Sequence, residues 1–283
     1  MKIKRKIEIA VISDVHLGTY GCHAKELTAY LNSIVPKILI LNGDIIDAWQ
    51  FSKRYFPKSH LRIIKKIMDF AANGTKVFYI TGNHDEILRK FSGTNIGNIA
   101  IVDKLVLNLH GKKAWFFHGD VLDFSIQNAK WLAKLGSWGY NLLTLINKGV
   151  NWYLEKRGRE RYSLSKKVKN SVKSAIKYIN DYESSIANLA IEKGYDYVVC
   201  GHIHQPKKEH KENKYGKTLY LNSGDWVENF TALEYQFKRW KIYNYNKDKL
   251  SPFYVDDDDN FQDIGINDLI AAITIVEQSN KEK

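Results

Sequence analysis

Five short runs of β-branched and aromatic residues in this chain each end, within a position or two, in a knot of aspartate, histidine, asparagine and glycine. Residues 7–12 lead into Asp14-Val15-His16, residues 38–41 into Gly43-Asp44-Ile45-Ile46-Asp47, and residues 77–80 into Gly82-Asn83-His84-Asp85. Residues 114–117 lead into His118-Gly119-Asp120, and residues 197–200 into Gly201-His202-Ile203-His204. Runs this continuously apolar predict strands buried on both faces by helices. Helical patterns at residues 24–33 and 59–72 separate the first three, the second closed by Asn73-Gly74, and residues 218–221 form a sixth strand candidate. Strand, helix, strand implies α/β layering, in which ligands gather at the carboxyl ends of the strands. The polar knots fall there.

One such pair would carry little weight, because a lone histidine is more often a hydrogen-bonded structural residue than a ligand. Five in series, each beside a glycine or tight turn that lets backbone approach an ion, point to a metal centre built from Asp14, His16, Asp44, Asn83, His118, His202 and His204. Carboxylate and imidazole suit Mn²⁺, Fe or Zn²⁺, and a bridging carboxylate can hold two such ions about 3.5 to 4 Å apart. A pair of that kind clamps a phosphoryl group through an in-line displacement. The two cysteines, Cys22 and Cys200, lack CxxC spacing and suggest neither a disulfide framework nor a cysteine zinc site. Cys200, inside an apolar run, reads as a buried core thiol. No GxxxxGK[ST] loop is present.

The ordered motifs DxH, GDxxD, GNH[DE], a later histidine and GHxH resemble the calcineurin-like metallophosphoesterase superfamily. The resemblance implies an α/β fold: a sandwich of two mixed β-sheets flanked by helices. It implies that Asp14, His16, Asp44 and His204 hold one metal, and that Asp44, as the bridge, holds the second with Asn83, His118 and His202. His84 would then act on the substrate, and Asp47 would orient His84, although a turn or helix-cap role for Asp47 stays open. Asp85 and Asp120 read as loop braces.

The 283 residues, 44% hydrophobic, suffice for one large domain with a substantial insert. We expect a metallophosphoesterase domain over residues 1–250 with a helical, basic lid insertion over about 124–193, followed by an acidic linker and helical tail over 251–283. Much of the net charge of +12 is regional, concentrated between Lys148 and Lys177, and follows an apolar stretch from Trp131 to Leu154. An apolar surface beside a cationic one suits a substrate with an acyl part and a diphosphate part, whereas a helical pair packed on the core with its lysines in water would have the same spacing.

The layout over roughly residues 7–243 is also similar to the bacterial UDP-2,3-diacylglucosamine pyrophosphatase family of lipid A synthesis. That resemblance implies a Mn²⁺-dependent enzyme, with Fe, Zn²⁺ or Mg²⁺ as alternatives, that cleaves a UDP-linked glycolipid into UMP and a lipid 1-phosphate. It further implies a cytoplasmic protein touching the inner-membrane surface, and Arg157, Arg161, Lys166, Lys167 and Lys169 as candidates for phosphate contacts. One position departs: the best-known members carry arginine after the metal-binding asparagine, where this chain has His84. A nuclease or other phosphodiesterase, or a phosphatase, would use the same centre, and the first would show steep salt dependence on nucleic acid. The basic stretch lies in an apolar-flanked insert and in no nucleic-acid module we recognise, which ranks that partner lower. The N-terminal Met1 to Lys6 looks like a signal-peptide start, but Glu8 interrupts the apolar run, which reads as a first strand.

Overall fold

A computed structural model describes residues 4–49, 55–121 and 164–250, with side-chain detail in the last span from residue 177. Its elements are β1 (Arg5–Ile12), α1 (Ala24–Ser33), β2 (Ile34–Asn42), α2 (Lys58–Ala72) and β3 (Lys76–Ile80). There follow β4 (Asn95–Ile96), β5 (Ile99–Val102), β6 (Leu105–Leu109), β7 (Lys112–Phe116) and α3 (Leu164–Glu192). The chain then forms β8 (Tyr197–Cys200), β9 (Lys207–Asn213), β10 (Gly216–Asn222), β11 (Thr231–Gln236) and β12 (Arg239–Asn244).

Alternation along the strands sorts the apolar residues into three cores. Ile9 and Val11 of β1, Ile40 of β2 and Ile80 of β3 face Ala114 and Phe116 of β7, Val199 of β8 and Leu221 of β10, forming the interior between two sheets. The intervening residues Ala10, Ile12, Leu39 and Leu41 turn the other way, onto Leu27 and Leu31 of α1 and Ile63 and Ile67 of α2. On the far sheet Trp115, Val198 and Tyr220 meet Tyr182, Ile186 and Ala190, a stripe at four-residue spacing along α3. The result is a helix, sheet, sheet, helix sandwich. Each fully buried Leu, Ile, Val or Phe contributes roughly 1.5–3 kcal/mol, so the three cores together dominate stability.

The first sheet runs β12-β11-β1-β2-β3-β5-β4 and the second β6-β7-β8-β10-β9. In the first, β1, β2, β3 and β5 are parallel; in the second, β7, β8 and β10 are. Antiparallel strands close the edges, which makes both sheets mixed. The parallel centres aim the carboxyl ends of β1, β2, β3, β7 and β8 at one rim. Helix α2 stops where the sequence predicts: Asn73 Nδ2 donates to Asp69 O at 2.7 Å, and Gly74 takes the left-handed φ of 92° that ends the helix.

Of the expected lid insertion, residues 124–163 lie outside the described residues, as does the tail over 251–283. The last turns of α3 belong to the outer layer of the second sheet. Among the described residues no helix is long and apolar enough to cross a membrane.

Cys200 is fully buried, with Sγ 3.3 Å from Tyr220 Oη, and both cysteines are free thiols. Burial pushes Cys200 and Cys22 each up to about 12, so almost no thiolate exists at pH 8. We expect neither thiol to react with a disulfide reagent at that pH within minutes, and both to react after denaturation. Rapid native labelling of either would contradict the packing.

Candidate metal centre

The site begins with backbone. The loop after β1 lies along the loop after β2: Asp14 N–H donates to Gly43 O, His16 N–H to Asp44 O and Leu17 N–H to Ile45 O, while Asp47 N–H returns to Leu17 O. These bonds require conformations that most residues avoid. Asp14, His16, Asp44, His202 and His204 all have φ between 52° and 69°, in the left-handed region. Such residues cost of order 1–3 kcal/mol each and persist where the surrounding structure over-determines them, which is at functional sites. Two glycines provide room for the carboxylates. A Cβ on Gly82 would sit 2.3 Å from Asp44 Oδ1, and one on Gly201 would sit 2.5 Å from Asp14 Oδ2.

Through these loops the side chains converge in three clusters whose ligand-type atoms lie within 4.8 Å of one another: Asp14, His16 and His204; His16, Asp44 and His84; Asp44, His118 and His202. His16 joins the first to the second, and Asp44 joins the second to the third. Asn83 lies in the loop whose next residue, His84, donates its N–H to Asp44 Oδ1 at 2.8 Å. Loops from five strand ends thus meet in one row of ligand atoms.

The histidine tautomers are set from behind. His118 Nδ1 lies 2.9 Å from Asn42 O, a carbonyl that can only accept, so Nδ1 carries a proton and Nε2 is the nitrogen turned into the site, able to offer its lone pair to a cation once its own proton is displaced. His16 Nδ1 lies 3.3 Å from Asp47 Oδ2, with the same consequence for its Nε2. His16 Nε2 and Asn83 Oδ1 are buried and have no hydrogen-bond partner among the described residues, and His118 Nε2 faces Asp44 Oδ2 at 3.2 Å. Buried acceptors left without a donor are costly where water is excluded, and lone pairs converging on a common point fit a cation. The residues present therefore fit a divalent metal.

The charges agree. Burial opposes ionisation of Asp14 and Asp44, yet His204 beside the first and His118 beside the second hold both carboxyls below the ordinary carboxylate range. Burial would likewise depress the two histidines, but Asp44 raises His118 to about 10 and Asp14 raises His204 to about 9. Each carboxylate thus shares a proton with its imidazole, and a bound cation would displace that proton.

Asp47 serves two histidines at once. Its Oδ2 is 2.9 Å from His84 Nδ1 as well as 3.3 Å from His16 Nδ1, while Oδ1 accepts from Trp49 N–H at 3.1 Å. Asp85 braces, as its position suggested: it accepts from Ile45 N–H, Tyr79 Oη and Gly82 N–H. Asp120 is taken by Arg89, which also reaches Gly82 O at 3.4 Å and so ties two site loops together. Asp225 is more than the turn residue its Gly-Asp context suggests. It is fully buried, accepts from the backbone of Val227 and Asn229, and faces His204 Nδ1 at 3.9 Å. Only its place after a strand hinted at this. Arg157 and Arg161 lie outside the described residues; Lys166, Lys167 and Lys169 belong to the first turns of α3, where side chains are not described.

The calcineurin-like phosphoesterase family model matches residues 7–206, from β1 through the last histidine of the centre. This chain belongs to the calcineurin-like phosphoesterase family. It is a metal-dependent hydrolase of the metallophosphoesterase type, and its two mixed sheets are those of that family. Within the family the chain is similar to the UDP-2,3-diacylglucosamine hydrolase of Vibrio vulnificus strain CMCP6, 22% identical over 231 residues that cover 79% of this chain and 91% of that one. The protein of the same name from Aliivibrio fischeri strain MJ11 is 24% identical over 244 residues, covering 83% and 97%. Among solved structures, an archaeal phosphodiesterase aligns over 83% of this phosphoesterase and 98% of its own chain, at 15% identity and a TM-score of 0.40.

Proposed function

We propose that this phosphoesterase hydrolyses the diphosphate of UDP-2,3-diacylglucosamine to UMP and 2,3-diacylglucosamine 1-phosphate, using two divalent ions, Mn²⁺ first among them. The observation that carries the hydrolytic part is the linkage of three acid–histidine clusters through His16 and Asp44. Asp14, His16, Asp44 and His204 would hold one ion, and Asp44, Asn83, His118 and His202 the other. Bound there, such ions supply Lewis acidity to phosphoryl oxygens and lower the pKa of water. The substrate rests on the two hydrolases above, whose alignments with this chain run over nearly their whole length.

His84 stands beside the row with its Nδ1 against Asp47. Protonated on both ring nitrogens, His84 would donate Nδ1–H to that carboxylate and pass the Nε2 proton to a phosphoryl or leaving-group oxygen as the bond breaks, ending as the neutral imidazole. Asn83, whose Oδ1 is buried without a partner among the described residues, would act from the ligand set. Arg157, Arg161, Lys166, Lys167 and Lys169 would neutralise the remaining phosphate charge, and the apolar half of the insert would shelter acyl chains. The enzyme would work in the cytoplasm against the inner-membrane surface.

Asp47→Asn tests the positioning. We expect kcat to fall by about 10–100-fold, the usual cost of removing a carboxylate that orients a site histidine, with two metal equivalents retained. An unchanged kcat would assign Asp47 to turn structure alone.

The substrate is tested by Mn²⁺-dependent UMP release from UDP-2,3-diacylglucosamine, run beside bis-p-nitrophenyl phosphate and single-stranded DNA with Asp44→Ala as the blank. Fast UMP release supports the proposal. Hydrolysis of the generic diester alone discards the glycolipid, and salt-sensitive cleavage of DNA replaces it with a nuclease reading.

A further inference from the structure

The loops after β1 and β2 do more than carry ligands. Leu17 and Ile46 form a parallel bridge, so the two chains leave the centre side by side. Three residues beyond the bridge each presents a large ring to solvent: Tyr20, 85% exposed, and Trp49, 50% exposed. Tyr20 lies against Tyr55 with ring centroids 3.9 Å apart and a 34° tilt. Trp49 lies against His84 at 4.5 Å and a 38° tilt.

Trp49 is held firmly for so exposed a residue. Its backbone N–H donates to Asp47 Oδ1, the preceding Ala48 N–H donates to His84 O at 2.9 Å, and Asp47 itself is 1% exposed. The same carboxylate therefore orders the indole and the imidazole beside it. Leaving a tryptophan half in water forgoes apolar burial that a packed core position would have provided. A rigid, flat, half-open π-face next to a group aimed at phosphoryl oxygens is the arrangement that accepts a planar ring from one side, whereas acyl chains need a concave apolar cleft.

We propose that Trp49 is the platform on which the base of a nucleoside-phosphate substrate stacks, so that this phosphoesterase selects phosphate esters and anhydrides bearing a nucleobase. The inference rests on the hydrolytic reading of the metal centre and assigns to that same site the side chain that recognises the base. His84 ends the platform on the inner side, where the phosphate attached to the nucleoside meets the metal ligands. The exposed Tyr20–Tyr55 pair lines the neighbouring loop.

The test compares two product-like ligands that differ in the base. Inhibition constants of UMP and ribose 5-phosphate are measured on the Mn²⁺-loaded full-length enzyme, with ring-free inorganic phosphate as a third probe. Wild type is expected to bind UMP more tightly than ribose 5-phosphate, and Trp49→Leu to weaken UMP by about tenfold, the size of one base–ring stack, while leaving ribose 5-phosphate and phosphate within about twofold. Trp49→Phe restores most of the UMP affinity, and metal content measured by elemental analysis is the same in all three proteins. Equal weakening of UMP and ribose 5-phosphate, loss of metal in Trp49→Leu, or no change in UMP would each overturn the platform. Hydrolysis of bis-p-nitrophenyl phosphate by wild type is assayed in parallel. Its absence would remove the hydrolytic reading, whereas its presence together with base-independent binding would remove only the inference.

Discussion

Asp44→Ala is expected to abolish turnover and metal binding together. Asp44 is the one side chain shared by the second and third clusters, and its Oδ2 lies 3.2 Å from His118 Nε2 while Oδ1 accepts the His84 N–H. Removing it takes away the bridge and leaves His118 Nε2 facing neutral space. We expect kcat/KM to fall by at least about 10⁴-fold, or roughly 5.5 kcal/mol of transition-state stabilisation, with fewer than two metal equivalents retained. Elemental analysis alongside steady-state kinetics on bis-p-nitrophenyl phosphate reads both quantities. Asp44→Asn, which keeps the volume and an oxygen for the His84 N–H, separates lost charge from lost packing and should also lose metal. A variant that kept both ions and a tenth of the activity would remove Asp44 from the bridging position.

His84→Ala should behave in the opposite way, losing rate while keeping metal. The His84 ring stands within the second cluster, so distance alone would allow it to be a ligand. Its Nδ1 contact with Asp47 and its packing against Trp49 favour a group that works on substrate instead. Removing a positioned proton donor typically costs 10²–10⁴-fold, and we expect a fall in kcat within about that range with two metal equivalents intact. Asp44 would still retain its bonds to the centre through His118. An empty metal site in His84→Ala would turn the histidine into a ligand and leave the proton-donating role without an occupant.

These two variants share one asymmetry in how the site could be read. Residue types with a specific chemistry at the end of a recognisable strand were legible: Asp14, His16, Asp44, Asn83, His118, His202 and His204 follow apolar runs too regular to be chance. The strands and helices that hold them were equally legible, because burial on both faces leaves continuous apolar runs and α2 carries its own stop signal. Other elements were hidden. Strand β9 reads Lys-Lys-Glu-His-Lys-Glu-Asn and has no apolar residue, since an edge strand with one bonded neighbour is kept soluble by charge. Strands β11 and β12 carry inward-facing residues such as Leu233 and Trp240, but their membership of the first sheet depends on β11 pairing with β1 from more than two hundred residues away.

The sequence by itself determined the chemistry and its order along the chain, because ligand identity and strand burial are properties of local residue types. The tertiary structure alone decided which nitrogen of His16 and His118 faces the site, that Asp47 serves His16 as well as His84, and that Asp225 and Arg89 brace the loops that carry the ligands. It also decided that Trp49 lies on His84. Those outcomes depend on atoms brought within about 4 Å across loops distant in sequence, and hydrogen-bond geometry at that range follows from the packing of two sheets, which no local pattern encodes.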